Sequence, residues 1–211
     1  MEISVQIKEV LQKHRGLQYH MDKNELTGNL YLPDGDSYEV EVKLDLYPAF
    51  FPIVFEMGER IPKKLDRHMY TDSGSCCFTT GAKSQVLLKT KITTLLKFID
   101  EIAIRYFENN SYYEINGKYC FTEYDHGSLG VVQSYQDILG TSDNRSIVLL
   151  MLERLKNRKL RIKDLCYCNS GHTLKKCFSG LHCRSYKQFR LIDKEVLHND
   201  LFHFKNVLKI K

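Results

Sequence analysis

No apolar run in this chain approaches the ~20 residues that a membrane-spanning helix needs. No N-terminal stretch combines a basic, an apolar and a small-residue region in the manner of a secretory leader. A soluble, cytoplasmic protein with no membrane partner is the expectation. Internal repeats and low-complexity tracts are missing too, which excludes a repeat array or a polar, disordered body. Cysteine is sparse and odd in number, seven in all. In such a chain an odd count argues against a disulfide framework and for thiol chemistry or metal ligation. The 211 residues suffice for one domain of ordinary size with a small appendage.

The formal net charge of +5 becomes informative when divided along the chain. Residues 1–140 carry 15 Lys and Arg against 20 Asp and Glu, whereas residues 141–211 carry 16 against 6. An acidic body is thus followed by a strongly basic one. The boundary falls in LGTSDNRS (139–146), a polar, turn-rich stretch that offers Ser142 and Asp143 as helix caps. Two domains are expected, 1–140 and 141–211.

In the first part, EISVQIKEVLQKH (2–14) spaces Ile3, Ile7, Val10 and Leu11 for an amphipathic helix. NELTGNLYL and SYEVEVKLDL follow as strands around a Pro33-Asp34-Gly35 turn, the second alternating through Val40, Val42, Leu44 and Leu46. FPIVFEM (51–57) is a third strand. LLKTKITTLLKFIDEIAIRYF (87–107) aligns Leu95, Leu96, Ile99, Ile102 and Ala103 as a long core helix. Helix, antiparallel meander, cysteine-bearing loop and helix define an α+β class. Within the loop, DSGSCCF (72–78) places two cysteines side by side behind a glycine turn. Neighbours on a strand face opposite ways, so one thiol is expected inside and the other at a cleft. The plainer alternative makes both small buried hydrophobes.

YPAFFPIVF (47–55), a histidine at His68 and then GSCCF together resemble the ubiquitin-conjugating enzymes, over roughly residues 1–140. The family's His-Pro-Asn tripeptide falls at His68, where this chain reads HMY. Its asparagine is therefore missing, as is the tryptophan common after the catalytic cysteine, in a chain with no Trp. CCFTTGAKSQVLLKTKITTLLKFI and YDHGSLG (124–130) are similar to the divergent bacterial E2-like proteins of CBASS antiphage defence. The resemblance implies a ubiquitin-conjugating-enzyme-like fold. It also implies a transferase that takes the C-terminus of a cGAS/DncV-like nucleotidyltransferase as a cysteine thioester and passes it to an amine. It assigns catalysis to Cys77 and packing to Cys76, and makes His68 a support for the thiolate or the oxyanion. A loop at ENNSYYE (108–114) would bring Asn109 or Asn110 to the cleft.

The second part opens with a helix, SIVLLMLERLKNRKL (146–160), and closes with another, DKEVLHNDLFHFKNVLK (193–209). Between them, CYCNSGHTLKKC (166–177) spaces Cys166, Cys168 and Cys177 so that a tight knuckle converges three thiolates on one ion. Cys183 is the favoured fourth ligand, giving Cys₄, and His182 is the alternative, giving Cys₃His. With no open position, a zinc ion held here is expected to be structural, and the plainer alternative is a cysteine-rich loop without metal. The stretch resembles the small zinc motif that ends the bacterial translocation ATPase SecA, a SEC-C-like knuckle. Lys163, Lys175, Lys176, Arg184, Lys187 and Arg190 surround it, which suits an acidic partner. Nucleic acid is less favoured, because no stacking alternation of aromatic and basic residues accompanies them. Two rival readings stand beside the transferase: a non-enzymatic scaffold that keeps the fold, and a nucleic-acid-binding zinc protein.

Overall fold

The computed structural model describes residues 2–121 and 124–208. It is an α+β chain with one four-stranded antiparallel sheet, divided into two compact units. The first comprises Met1–Phe78 and Leu87–Glu123, the second Thr79–Val86 and Tyr124–Lys211. No helix among the described residues is long and apolar enough to cross a membrane.

The first unit begins with the expected amphipathic helix, α1 (Ile3–Lys13), which buries Gln6, Ile7 and Val10. Strands β1 (Leu17–His20), β2 (Glu25–Tyr31), β3 (Ser37–Lys43) and β4 (Ile53–Glu56) then pair in sequence order, an antiparallel meander. Register sets Leu26 opposite Val42 and Val42 opposite Val54, so the inward set of each strand meets its neighbour's. Gly28 is obligatory in β2: at φ +127 any side chain would be strained, and a Cβ there would lie 2.2 Å from the Gly16 carbonyl oxygen. The alternation expected to reach Leu46 stops earlier. Leu44 is buried, but its carbonyl accepts from Tyr47 N in a turn, and this leaves Leu46 51% exposed.

The apolar stretch 87–107 is two helices, a correction with a local cause. Helix α2 (Gly81–Thr90) ends where Ile92 turns into the core and donates its N–H to Leu87 O. Thr94 then caps a new helix by accepting from Lys97 N. The run of Ile92, Thr93 and Thr94, all β-branched, suits that break. The new helix runs as α3 (Leu95–Phe98), a π-helical turn at Ile99–Ala103 and α4 (Ile104–Asn116), and Gly117 stops it in the left-handed region. The loop expected at 108–114 is therefore helical. Phe107 stacks on Tyr38 at 4.7 Å, and Arg60 lies over the same tyrosine ring while bridging Asp36 of the β2–β3 turn to Glu114 of α4. The hydrogen bonds from Arg60 hold the Asp36 carboxyl well below the usual carboxylate range.

The second unit packs α5 (Gly127–Leu139), α6 (Asn144–Leu155), α7 (Leu181–Phe189) and α8 (Lys194–Leu208) on one another. Its core holds Tyr135, Ile138, Leu139, Ile147, Met151, Phe189 and Phe204, with Ala82 and Val86 from the start of α2. The break drawn at residue 140 therefore falls inside this unit. The buried face of α5 belongs to the same core as α6 to α8, and the charge step after 140 does not coincide with a change of core. Asp143 does cap α6, accepting from Arg145 N and Ser146 N. The closing helix is present over 194–208; Lys209 of the expected span lies outside the described residues.

Within this core Asp200 accepts the Tyr135 hydroxyl at 2.9 Å, and burial raises its pKa despite that bond and the nearby His203. A raised carboxylate pKa means that stability is largest at acid pH and is lost as pH rises through the folded value. Asp200→Asn keeps an acceptor for Tyr135 without the charge. We expect it to melt above the wild type at pH 7, with the gap closing near the ordinary Asp pKa of ~4. Thermal melts at both pH values measure this, and a variant less stable at pH 7 would refute it.

Candidate thiol site and metal centre

In the first unit, the chain reverses between Tyr70 and Ser75 around Gly74, which sits at φ +73 and donates its N–H to Tyr70 O. The arms of this turn pair antiparallel: Met69 opposes Cys76, Tyr70 N donates to Ser75 O, and Cys77 N donates to His68 O at 2.7 Å. Cys76 N also donates to Val54 O, which ties the second arm to β4. Because side chains alternate, Met69 and Cys76 share the inner face, with exposures of 1% and 6%. His68, Tyr70 and Cys77 share the other. Burial, reinforced by the charge of Glu56, pushes the Cys76 thiol up to about 12, although a hydrogen bond from Tyr106 opposes it. Cys77 is half-buried, with Tyr70 on the same face of the ladder. Burial first, and then the neighbouring Cys77 thiol, raise the Tyr70 pKa, so the phenol stays a donor.

His68 is left-handed at φ +51, and its carbonyl accepts from both Cys77 N and the Tyr106 hydroxyl. Its ring meets Tyr119 edge-on at 5.5 Å. Asn109 departs from the expectation. It is buried on α4, and its Oδ1 accepts from Cys120 N and Phe121 N at 2.8 and 3.0 Å, so it fastens the following segment instead of lining a cleft. Asn110 is buried too. Its Oδ1 accepts from Arg67 Nη2 and its Nδ2 donates to Tyr106 O. The error follows from reading 108–114 as a loop: on a helix, successive asparagines are carried inward against the core. Tyr70 is the neighbour of the thiol that the sequence reading missed. The available signal was the two-residue period: Tyr70 lies on the same face as His68 and, across the glycine turn, as Cys77.

In the second unit the knuckle closes with a different fourth donor. Cys166, Cys168, Cys177 and His182 present ligand atoms that all lie within 4.8 Å of one another and could hold a metal ion. His182 Nδ1 is 3.3 Å from Cys166 Sγ and 3.4 Å from Cys177 Sγ, and Cys168 Sγ is 3.3 Å from Cys177 Sγ. A tetrahedral ion with bonds of ~2.3 Å to sulfur and ~2.0 Å to nitrogen has ligand edges of about 3.8 and 3.5 Å, and these three separations lie within about half an ångström of those edges. Phe178, Ser179 and Gly180, all at positive φ, swing the chain from Cys177 into α7 and deliver His182 in its first turn. Left-handed Phe and Ser are costly and persist only where the surroundings hold them. Nε2 of His182 meets the Gly140 carbonyl at 3.2 Å, which leaves Nδ1 to face the thiols. Tyr167 stacks on the imidazole at 5.0 Å and donates its hydroxyl to Leu139 O.

Cys183, the favoured fourth ligand, is not brought into this cluster. One residue further along α7 is about 100° further round the helix, where Cys183 packs half-buried against the core. Burial raises the Cys166 thiol to about 12. At Cys168 burial acts the same way but is outweighed by hydrogen bonds from Ser170 and Cys177, which bring it down to about 6.

Comparison of the chain with protein-family models, with curated proteins and with solved structures finds no match. The geometry of the two sites therefore carries the functional reading.

Metal analysis of freshly purified protein should find about one bound ion per chain. Cys177→Ser and His182→Ala should lose it, whereas Cys183→Ser should keep it. Loss in Cys183→Ser with retention in His182→Ala would reverse the ligand assignment.

Proposed function

We propose that this protein is an E2-like acyltransferase. Its Cys77 takes the C-terminal acyl group of a partner as a thioester and passes it to an amine, and a structural zinc knuckle in the second unit recruits the partner. The observation that carries this reading is the division of the adjacent thiols: Cys76 inside and held as a thiol, Cys77 half-buried beside a hydroxyl donor. The antiparallel meander behind an N-terminal helix is compatible with a ubiquitin-conjugating-enzyme-like fold. By the resemblance, the partner is a cGAS/DncV-like nucleotidyltransferase and the setting is CBASS defence in the bacterial cytoplasm.

The chemistry asks little of the chain beyond a placed thiolate. Cys77 Sγ, its proton given up to solvent, attacks the acyl carbon of a C-terminus supplied already activated as a thioester or acyl phosphate-type anhydride. The bond to the activating group breaks, that group departs with the electron pair, and an acyl–Cys77 thioester remains. An amine then attacks that carbon. The C–S bond breaks, Cys77 leaves as the thiolate, and the amine proton passes to solvent. Charge develops on the carbonyl oxygen in both steps. In the register of the resemblance Tyr70 occupies the place of the missing asparagine, and its phenol, kept protonated, is the donor best placed to share that charge. His68 serves through its backbone, whose carbonyl fixes the strand that carries Cys77. Zinc suits three thiolates and one imidazole with no open position, so it would hold the knuckle together and take no part in acyl transfer.

The test uses a short glycine-terminated peptide supplied as a mercaptoethanesulfonate thioester. Intact mass without reductant should show one acyl adduct that dithiothreitol removes, and fragmentation should place it on Cys77, with the exposed Cys120 as the internal control. Cys77→Ala should abolish the adduct and Cys76→Ala should keep it. Tyr70→Phe should slow aminolysis by about a hundredfold, the scale for loss of one oxyanion donor. A wild-type protein that acquires no adduct on Cys77 would support the scaffold reading and remove the enzymatic one.

A further inference from the structure

The second unit carries a cavity of about 530 Å³ between α6 and the chain that leads into the knuckle. It is walled by Leu149 and Leu165, which stand 61% and 67% exposed, and floored by Leu150 and the largely buried rings of Tyr167 and Tyr186. A leucine pair this exposed beside a concave floor is unusual for a surface that meets only water. The rim has a sign. Between Glu153 and Asp164 the chain has six cations in RLKNRKLRIK (154–163) and no acid. Arg158, Lys159 and Arg161 of that run line the cavity. The two lining carboxylates are already engaged, Glu153 by Arg158 at 3.1 Å and Asp164 by the backbone N–H and Nε of Arg161 at 2.7 and 3.2 Å. Lys159 forms no ion pair among the described residues.

From this we propose that the groove is the docking site for an acidic, amphipathic peptide segment of a partner protein. Two or three apolar side chains of the segment would seat between Leu149 and Leu165, and a carboxylate would face Lys159, the lining cation left over once Arg158 and Arg161 are paired. The volume falls in the ~300–1,000 Å³ range of ligand pockets and suits a few side chains. Charge complementarity chooses the class of segment. A nucleic acid strand fits less well, because it needs exposed rings for its bases. Here Tyr167 and Tyr186 are buried, with their hydroxyls bonded to Leu139 O and Leu160 N, and the side chains that project are leucines. The groove belongs wholly to the second unit, so the proposal stands whether or not Cys77 carries an acyl group.

The test is a selection of peptides from a random display library on the full, metal-loaded chain. Fluorescence anisotropy then measures the best peptide on the wild type and on variants at exposed positions. We expect enriched sequences to carry excess Asp and Glu with at least two apolar residues. Leu149→Asp should weaken the best peptide by about tenfold or more, the scale of losing a buried anchor. Lys159→Glu should weaken it and flatten its dependence on salt, since it removes a screened attraction. Phe202→Ser, 63% exposed on α8, should leave it unchanged. Metal content and circular dichroism check that each variant is folded. The proposal is overturned if no peptide is enriched, if those enriched are neutral or basic, or if Leu149→Asp and Lys159→Glu bind as the wild type does. It is also overturned if an oligothymidylate of ~15 nucleotides binds more tightly than the best peptide and loses that binding in the same variants.

Discussion

Extended backbone sends neighbouring side chains to opposite faces, and that two-residue period divides Cys76 from Cys77. The short ladder of His68, Met69 and Tyr70 against Ser75, Cys76 and Cys77 holds both arms in register, and Cys76 N on Val54 O anchors it to the sheet. With Met69 and Cys76 packed inward, Cys77 cannot join them without a one-residue slip that would expose both and bury Tyr70. The difference in thiol chemistry is therefore written in backbone hydrogen bonds, not in the two side chains, which are identical.

The same logic appears at the helical period in the second unit. His182 and Cys183 are adjacent, both able to bind metal, and separated by one helical step. The choice between them is made by three left-handed residues before α7 and by the Gly140 carbonyl that takes Nε2 of the imidazole. Tyr167 joins the arrangement to α5 through Leu139 O, so the knuckle is fastened to the helical core at its imidazole and at its tyrosine.

The buried polar groups divide by purpose. Asn109, Asn110 and Arg67 are tied to backbone or to one another on α4 and its neighbours, and they hold segments in place. Tyr70 and Cys77 instead face outward, where a reacting partner can reach them. The groove follows the second pattern. Its arginines quiet the two acids on its own rim, which leaves the apolar walls and Lys159 to face a partner.

Much of the fold was legible because it rests on local periods. The alternation of Val40 and Val42, the Pro33-Asp34-Gly35 turn, the amphipathic α1 and the Asp143 cap all behave as the residues predict. The spacing of Cys166, Cys168 and Cys177 likewise determined that three thiols meet. What the sequence left open depends on residues far apart in the chain. β1, only four residues of LQYH, exists because β2 pairs with it. The break at Ile92 exists because the core accepts that side chain, and the unit boundary falls before α5 because its apolar face matches α7 and α8, whatever the charge of the residues that follow. Asn109 was misplaced for the same reason, since a helix or a loop at 108–114 is decided by packing against the sheet. The fourth metal ligand was open in the sequence because Cys183 and His182 satisfy the same chemistry. Only the tertiary direction of α7, set by the turn at 178–180, could choose between two neighbours 100° apart on a helix.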